Sequence, residues 1–171
     1  MTFYTVGHSN RPLEEFLTML GDAGVGLVVD VRRLPGSRAC PWFDQERLAP
    51  ALREVGIDYV HEVALTGRRP RQPDVPAEVN ALWRNQSFHN YADYALSDEF
   101  AAGLARVREA AAAAPALLCS EAVWWRCHRR IIADHLLAQG DPVEHIMETI
   151  VPATLTPGAS VRGGQVTYPA P

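Results

Sequence analysis

Leu27-Val28-Val29-Asp30-Val31 and Ala116-Leu117-Leu118-Cys119 are short runs that are apolar at consecutive rather than alternate positions. Successive side chains of a strand point to opposite sides of a sheet, so a strand of this kind must be covered on both faces. Amphipathic stretches of helical period stand between such runs. Phe3-Tyr4-Thr5-Val6 is followed by Pro12, able to open a helix with Leu13, Phe16, Leu17 and Leu20 on one face and Gly24 past its end. Asp44 can cap a second helix carrying Leu48, Leu52 and Val55 to Gly56, with Pro50 expected to kink it or shorten its start.

Ile57-Asp58-Tyr59-Val60 reads as a third strand. Ser97-Asp98-Glu99 opens a helix with Phe100, Leu104, Val107 and Ala111 on one stripe, and Pro115 ends it. After the fourth run, a helix is expected from Trp124 to Ala138, stopped at Gly140, then a fifth strand from Val143 to Ile146. Strand and helix alternate throughout, which predicts an α/β fold: a single three-layer domain with a mostly parallel sheet of about five strands flanked by helices. That domain should occupy residues 1–150. Residues 66–90, broken by Pro70, Pro73 and Pro76, should form an insertion or lid. Residues 151–171, rich in proline and glycine, should be an irregular tail packed on the domain or extending from it, with one edge strand at 165–168.

Composition narrows the function classes. A net charge of −4 gives no global positive field for long nucleic acids or anionic membranes. Three cysteines have the wrong parity for a disulfide framework and fit a reducing compartment. No apolar stretch approaches the ~20 residues of a spanning helix, and Met1-Thr2-Phe3-Tyr4 lacks a basic-then-apolar opening, so a cytoplasmic location is expected. Every basic residue is arginine, with clusters at Arg32, Arg33 and Arg38, at Arg68, Arg69 and Arg71, and at Arg126, Arg129 and Arg130. Neither a dinucleotide fingerprint nor a phosphate-loop motif is present.

In a parallel sheet the residues just after each strand gather along one edge, where ligands bind. Here those residues are His8 and Ser9, then Asp30, Arg32 and Arg33, then His61 and Glu62, then Cys119, Ser120 and Glu121. Plainer readings stand beside this one: Asp30 as the cap of a turn, His8 as a donor to a core carbonyl, Cys119 as a small buried hydrophobe, the arginines as a solvated face. A helix start disfavours cations, however, so Arg126, Arg129 and Arg130 make sense there if an anion shares the place.

The segments TVGHSN, VVDVRRLPGSR, LTGRR and CSEAVWWRCHR resemble the conserved blocks of the family named domain of unknown function 488, spread over residues 3 to 146. The family-typical LGGRR stands here as LTGRR. The resemblance implies that Gly7, His8, Asp30, Arg32, Ser37, Arg38, Gly67, Cys119, Glu121, Cys127, His128 and Arg129 are shared positions. It implies no activity, because the family has none established.

The residues themselves support several chemistries. Cys127, near a helix start with Arg126 and His128 beside it, is a candidate thiolate. Cys119, Glu121, Cys127 and His128 offer metal-ligand atoms, yet adjacent Cys-His and a C-x7-C interval differ from structural zinc spacing, and no metal is predicted. Trp125 stands where a C-x5-R phosphatase would carry arginine, and VVDVR resembles the entry strand of rhodanese-like sulfurtransferases over a few residues only. The most economical reading has Arg32, Arg38, Arg68, Arg69 and Arg129 binding a small phosphate-bearing anion, with Ser9, Cys127 and His128 as further ligand contacts. Trp124 or Trp125 would pack on a base or sugar. Glu121 would be general acid or base with His8 or His61 beside it, Asp30 would orient a histidine, and Cys119 would be the available nucleophile. The expectation is thus a hydrolase or group transferase acting on a nucleotide or related metabolite. A non-catalytic nucleotide or nucleic-acid-binding module is the rival, and a thiol-dependent or metal site at Cys119 and Cys127 a second alternative. The residues specify no cofactor and no oligomeric state.

Overall fold

The structure, a computed structural model, describes all 171 residues. Five strands lie parallel in the order β3-β2-β4-β1-β5, where β1 is Phe3–Gly7, β2 Leu27–Asp30, β3 Asp58–His61, β4 Pro115–Cys119 and β5 Val143–Ile146. A sixth, β6 (Ile150–Pro152), turns back antiparallel on β5. The mostly parallel α/β architecture is as the alternating pattern requires, with one more strand than expected because the tail closes the sheet edge.

Alternation along the strands explains the three layers. Val6, Val28, Ala116 and Leu118 point to one face and pack on Phe16 and Leu20 of α1 (Leu13–Asp22) and Leu48 and Leu52 of α2 (Gln45–Glu54). Phe3, Leu27, Val29 and Leu117 point to the other. There they meet Tyr91 of α3 (Gln86–Tyr94), Phe100 and Leu104 of α4 (Asp98–Ala110), and Ile131 and Ile132 of α5 (Arg129–Ala138). Burying both faces is what keeps these strands apolar at every position.

Several local expectations are corrected. The helix foreseen from Trp124 begins only at Arg129. Trp124–Arg126 is a separate 3-10 turn and Cys127 is extended (φ −128°, ψ 147°), with its Sγ accepting a hydrogen bond from the Arg129 N–H at 3.4 Å. Asp44 precedes α2 but makes no side-chain cap; its Oδ1 instead accepts from the Ser37 N–H at 2.8 Å. Pro50 lies inside α2, which still starts at Gln45. Ser97 does cap α4, accepting from the Phe100 N–H at 3.2 Å.

The tail is packed on the domain, and a strand stands where one was expected near its end. β7 (Ser160–Arg162) and β8 (Gln165–Thr167) form a hairpin, and the following Tyr168 is fully buried in the α3–α4–α5 face. Its hydroxyl donates to Asp134 at 2.7 Å and its N–H to Asn80 at 2.9 Å, two bonds that tie the chain end to the domain. No helix is long and apolar enough to cross a membrane.

Candidate functional site

Pairing continues past the strand ends. The His8 N–H donates to the Cys119 carbonyl at 3.0 Å, Ser9 to Ser120 at 3.0 Å, and Val31 to Leu118 at 3.0 Å. The loops after β1, β2 and β4 are therefore held side by side. Gly7 permits this approach, since a Cβ there would lie 1.7 Å from the Glu121 carbonyl oxygen.

Behind that edge lies a closed polar network. Asp30 is fully buried and accepts from Arg32 Nε at 2.9 Å, Arg32 Nη2 at 2.7 Å, the Arg32 N–H at 3.1 Å and the Tyr59 hydroxyl. Arg32 Nη1 reaches His8 Nε2 at 3.3 Å, and His8 Nδ1 donates to the Ser9 carbonyl at 2.8 Å. Burial works against the Arg32 charge, but the hydrogen bonds and charge of Asp30 outweigh it and raise its pKa. Burial lowers the His8 pKa, and the ring stacks on Phe43 with centroids 4.4 Å apart. Asp30 thus orients an arginine, not a histidine, and with its acceptor oxygens committed it faces no open space.

In front of this network a cavity of about 400 Å³ opens at the strand ends. Arg32, Cys119, Ser120 and Glu121 reach it from the sheet edge, Cys127 and His128 from the entry to α5, Gly67 and Arg68 from the loop after β3, and Phe88 and Tyr91 from α3. Arg33, Arg68 and Arg126 line it, are exposed, and pair with no carboxylate, whereas Arg32 is neutralised by Asp30. The local balance is positive although the whole chain is acidic. A concave site with convergent guanidinium groups attracts a small anion.

At the inner wall the Cys119 and Cys127 sulfurs and an imidazole nitrogen of His128 lie within 4.8 Å of one another. The neighbouring Cys127 side chain, with His128 and the Glu121 backbone, holds the Cys119 thiol well below its ordinary pKa despite burial. Cys127 is pushed up, first by burial and then by the charge on Cys119. His128 is wedged between Gly67, where a Cβ would lie 2.8 Å from Nδ1, and the Tyr91 ring, 4.8 Å away between centroids.

Of the residues expected at the site, Arg32, Arg68, Cys119, Glu121, Cys127 and His128 meet in this cavity, while His8 and Asp30 stand behind it. Ser9 is not in the wall; its backbone at φ 50° turns the chain away after β1. Arg38 lines a shallower neighbouring depression with Asp44. Arg69 is spent on its own turn, donating from Nε to the Thr66 carbonyl at 3.0 Å, and lies over Tyr94 at 3.9 Å. Arg129 is fully buried and donates to the carbonyls of Glu121 at 2.8 Å and Ala122 at 3.3 Å, so it shapes the loop rather than meeting a ligand. His61 Nε2 donates to the Arg32 carbonyl at 2.8 Å, and Glu62 is paired with Arg106. Trp124 stacks on His145 at 4.4 Å and neither it nor Trp125 reaches the cavity; the aromatic wall is Phe88 and Tyr91.

Arg33, Ser120 and Arg126, which the sequence places at the converging edge or in the arginine clusters without a role of their own, line the cavity, as do Asn85 and Ser87, which sequence reasoning missed. Arg33 and Arg126 carried a signal, being members of the arginine clusters. Asn85 and Ser87 carried none beyond their place in the proline-broken segment.

No match was found for the chain among curated proteins or among solved structures. The family described as domain of unknown function DUF488 matches residues 12–136, which include β2 to β4, the cavity residues and the CSEAVWWRCHR segment. Matched over most of its length, the chain belongs to the DUF488 family.

Proposed function

We propose that this protein is an enzyme, a hydrolase or group transferase, that binds a small phosphate-bearing molecule of nucleotide or related class in the cavity at the strand ends. The observation that carries the reading is the set Arg33, Arg68 and Arg126, three guanidinium groups without carboxylate partners around one cavity. Such groups bind phosphate oxygens by paired, charge-assisted hydrogen bonds. A volume of about 400 Å³ suits a metabolite rather than the track of a polymer. Phe88 supplies an aromatic ring beside the charged groups, backed by Trp83 with centroids 5.0 Å apart, and suits a base or sugar. Glu121, exposed at the cavity, is the carboxylate within reach of a bound molecule and serves as general acid or base.

A thermal-shift screen of nucleotides and sugar phosphates tests this, because a ligand that binds only the folded chain raises its apparent stability. The expected result is a shift that Arg126→Ala reduces. A full panel with no shift removes the reading. Once a substrate is found, Glu121→Gln should slow turnover by roughly 100-fold or more with binding retained.

A further inference from the structure

We propose that Cys119, Cys127 and His128 hold one zinc-class divalent ion at the inner wall of the cavity, with a coordination position left open toward the cavity that Glu121 also lines. This rests on the reading of the cavity as an active site only for its chemistry, not for the binding itself. The two sulfurs and an imidazole nitrogen already lie within 4.8 Å of one another. Small side-chain rotations bring such atoms to the ~2.0–2.3 Å bond lengths of a zinc site. Three protein ligands with an open fourth position is the pattern of catalytic zinc, whereas structural sites close with four. Two thiolates and an imidazole also select zinc-class ions over magnesium or calcium, which take oxygen.

Three further contacts suit a ligand set. The Arg129 N–H donates to the Cys127 sulfur at 3.4 Å, the kind of outer contact that orients a metal thiolate. His128 is fixed between Gly67 and Tyr91, with its Nδ1 turned to the Cys127 sulfur at 3.7 Å, so one imidazole nitrogen already faces the sulfur pair. The cavity arginines offset the negative charge that two thiolates would bring. The wide C-x7-C interval is no obstacle, because the extended Cys127 and the 3-10 turn before it fold the second sulfur back against the end of β4.

An ion here would take both thiolates as ligands and leave the nucleophile to bound water. Glu121 takes one proton from that water, and the oxygen bonds to the electrophilic phosphorus or carbon of the substrate. The bond to the leaving group breaks with its electron pair, and Glu121 returns the proton to that group.

Reduced, chelator-stripped protein titrated with cobalt(II), then with zinc, tests the site. One equivalent of cobalt should produce sulfur-to-metal charge-transfer absorption and the visible bands of a tetrahedral ion, both discharged by zinc. Cys119→Ser and Cys127→Ser should each abolish the charge-transfer signal or weaken binding at least about tenfold, and Cys40→Ser, in the opposite core layer, should leave it intact. If a variant fails to fold, the wild-type chain still decides: zinc should protect Cys119 and Cys127 from alkylation, read by peptide mass. No cobalt signal and no protection overturns the proposal, as does a Cys119→Ser chain that gives the wild-type signal with undiminished affinity. Protein that takes no ion but forms a Cys119–Cys127 disulfide on oxidation overturns it in favour of a redox pair. A phosphorylated ligand that still stabilises the metal-free chain would show the cavity reading standing while the ion fails; cobalt binding with no ligand hit would show the reverse.

Discussion

Asp30 is the last residue of β2, and its carboxylate lies against the Arg32 guanidinium at 2.7 Å. A carboxylate at the end of an apolar strand reads as a catalytic group, but here it is fully buried and spends its oxygens on Arg32 and Tyr59. Replacing it with alanine leaves the Arg32 guanidinium buried and unpaired. We expect Asp30→Ala to lower stability by roughly 3–5 kcal/mol in urea denaturation, with Asp30→Asn intermediate. An Asp30→Ala chain as stable as wild type would show that Arg32 finds another partner. Cys127 illustrates the opposite case: its neighbours in sequence hint at reactivity, but its pairing with Cys119 exists only because the chain folds back on itself.

Among the elements, the segment between β4 and α5 does most to shape the cavity. Arginines near a helix start suggest a bound anion, because the helix dipole opposes them. Two of the three are instead satisfied by the protein: Arg129 by the carbonyls of Glu121 and Ala122 and by Thr5 Oγ1, and Arg130 by Thr156 Oγ1. Only Arg126 is presented to the cavity. Arg129→Ala should therefore destabilise the fold by about 3 kcal/mol and raise hydrogen exchange across residues 120–128, through the loss of several charge-assisted bonds. Unchanged exchange in that loop would contradict its role as the anchor. The same substitution is a poor probe of ligand binding, since it removes the loop geometry along with the charge.

At the scale of the whole molecule, acid should be the weak side of stability. Burial lowers the pKa of both His135, on α5, and His145, on β5, to about 4 from 6.5, and the nearby Arg129 and Arg130 add to the effect at His145. In the unfolded chain each imidazole takes its proton first. Their contribution is full above pH 6.5 and is lost as pH falls toward 4, by up to about 1.4 kcal/mol per pH unit for each histidine. His135→Leu should flatten that acid limb in pH-dependent denaturation; a limb of unchanged slope would assign the loss to other groups. The layered architecture was legible because strands covered on both faces and helices with one apolar stripe leave few packings open, and Leu27–Asp30 and Pro115–Cys119 are such strands. The edge that gathers His8, Arg32, Cys119 and Glu121 was legible too, because parallel strands end on the same side. What sequence could not supply was the use of each polar group, since hydrogen-bond partners are chosen in three dimensions. Local order alone determined the layers, the sheet direction and the family; tertiary packing alone decided that Asp30 clamps Arg32, that Arg129 serves the backbone, that Phe88 and Tyr91 form the aromatic wall, and that two sulfurs and an imidazole meet. Apolar periodicity is written in neighbouring residues, whereas these contacts join segments far apart in the chain, and their geometry exists only once the core between them has closed.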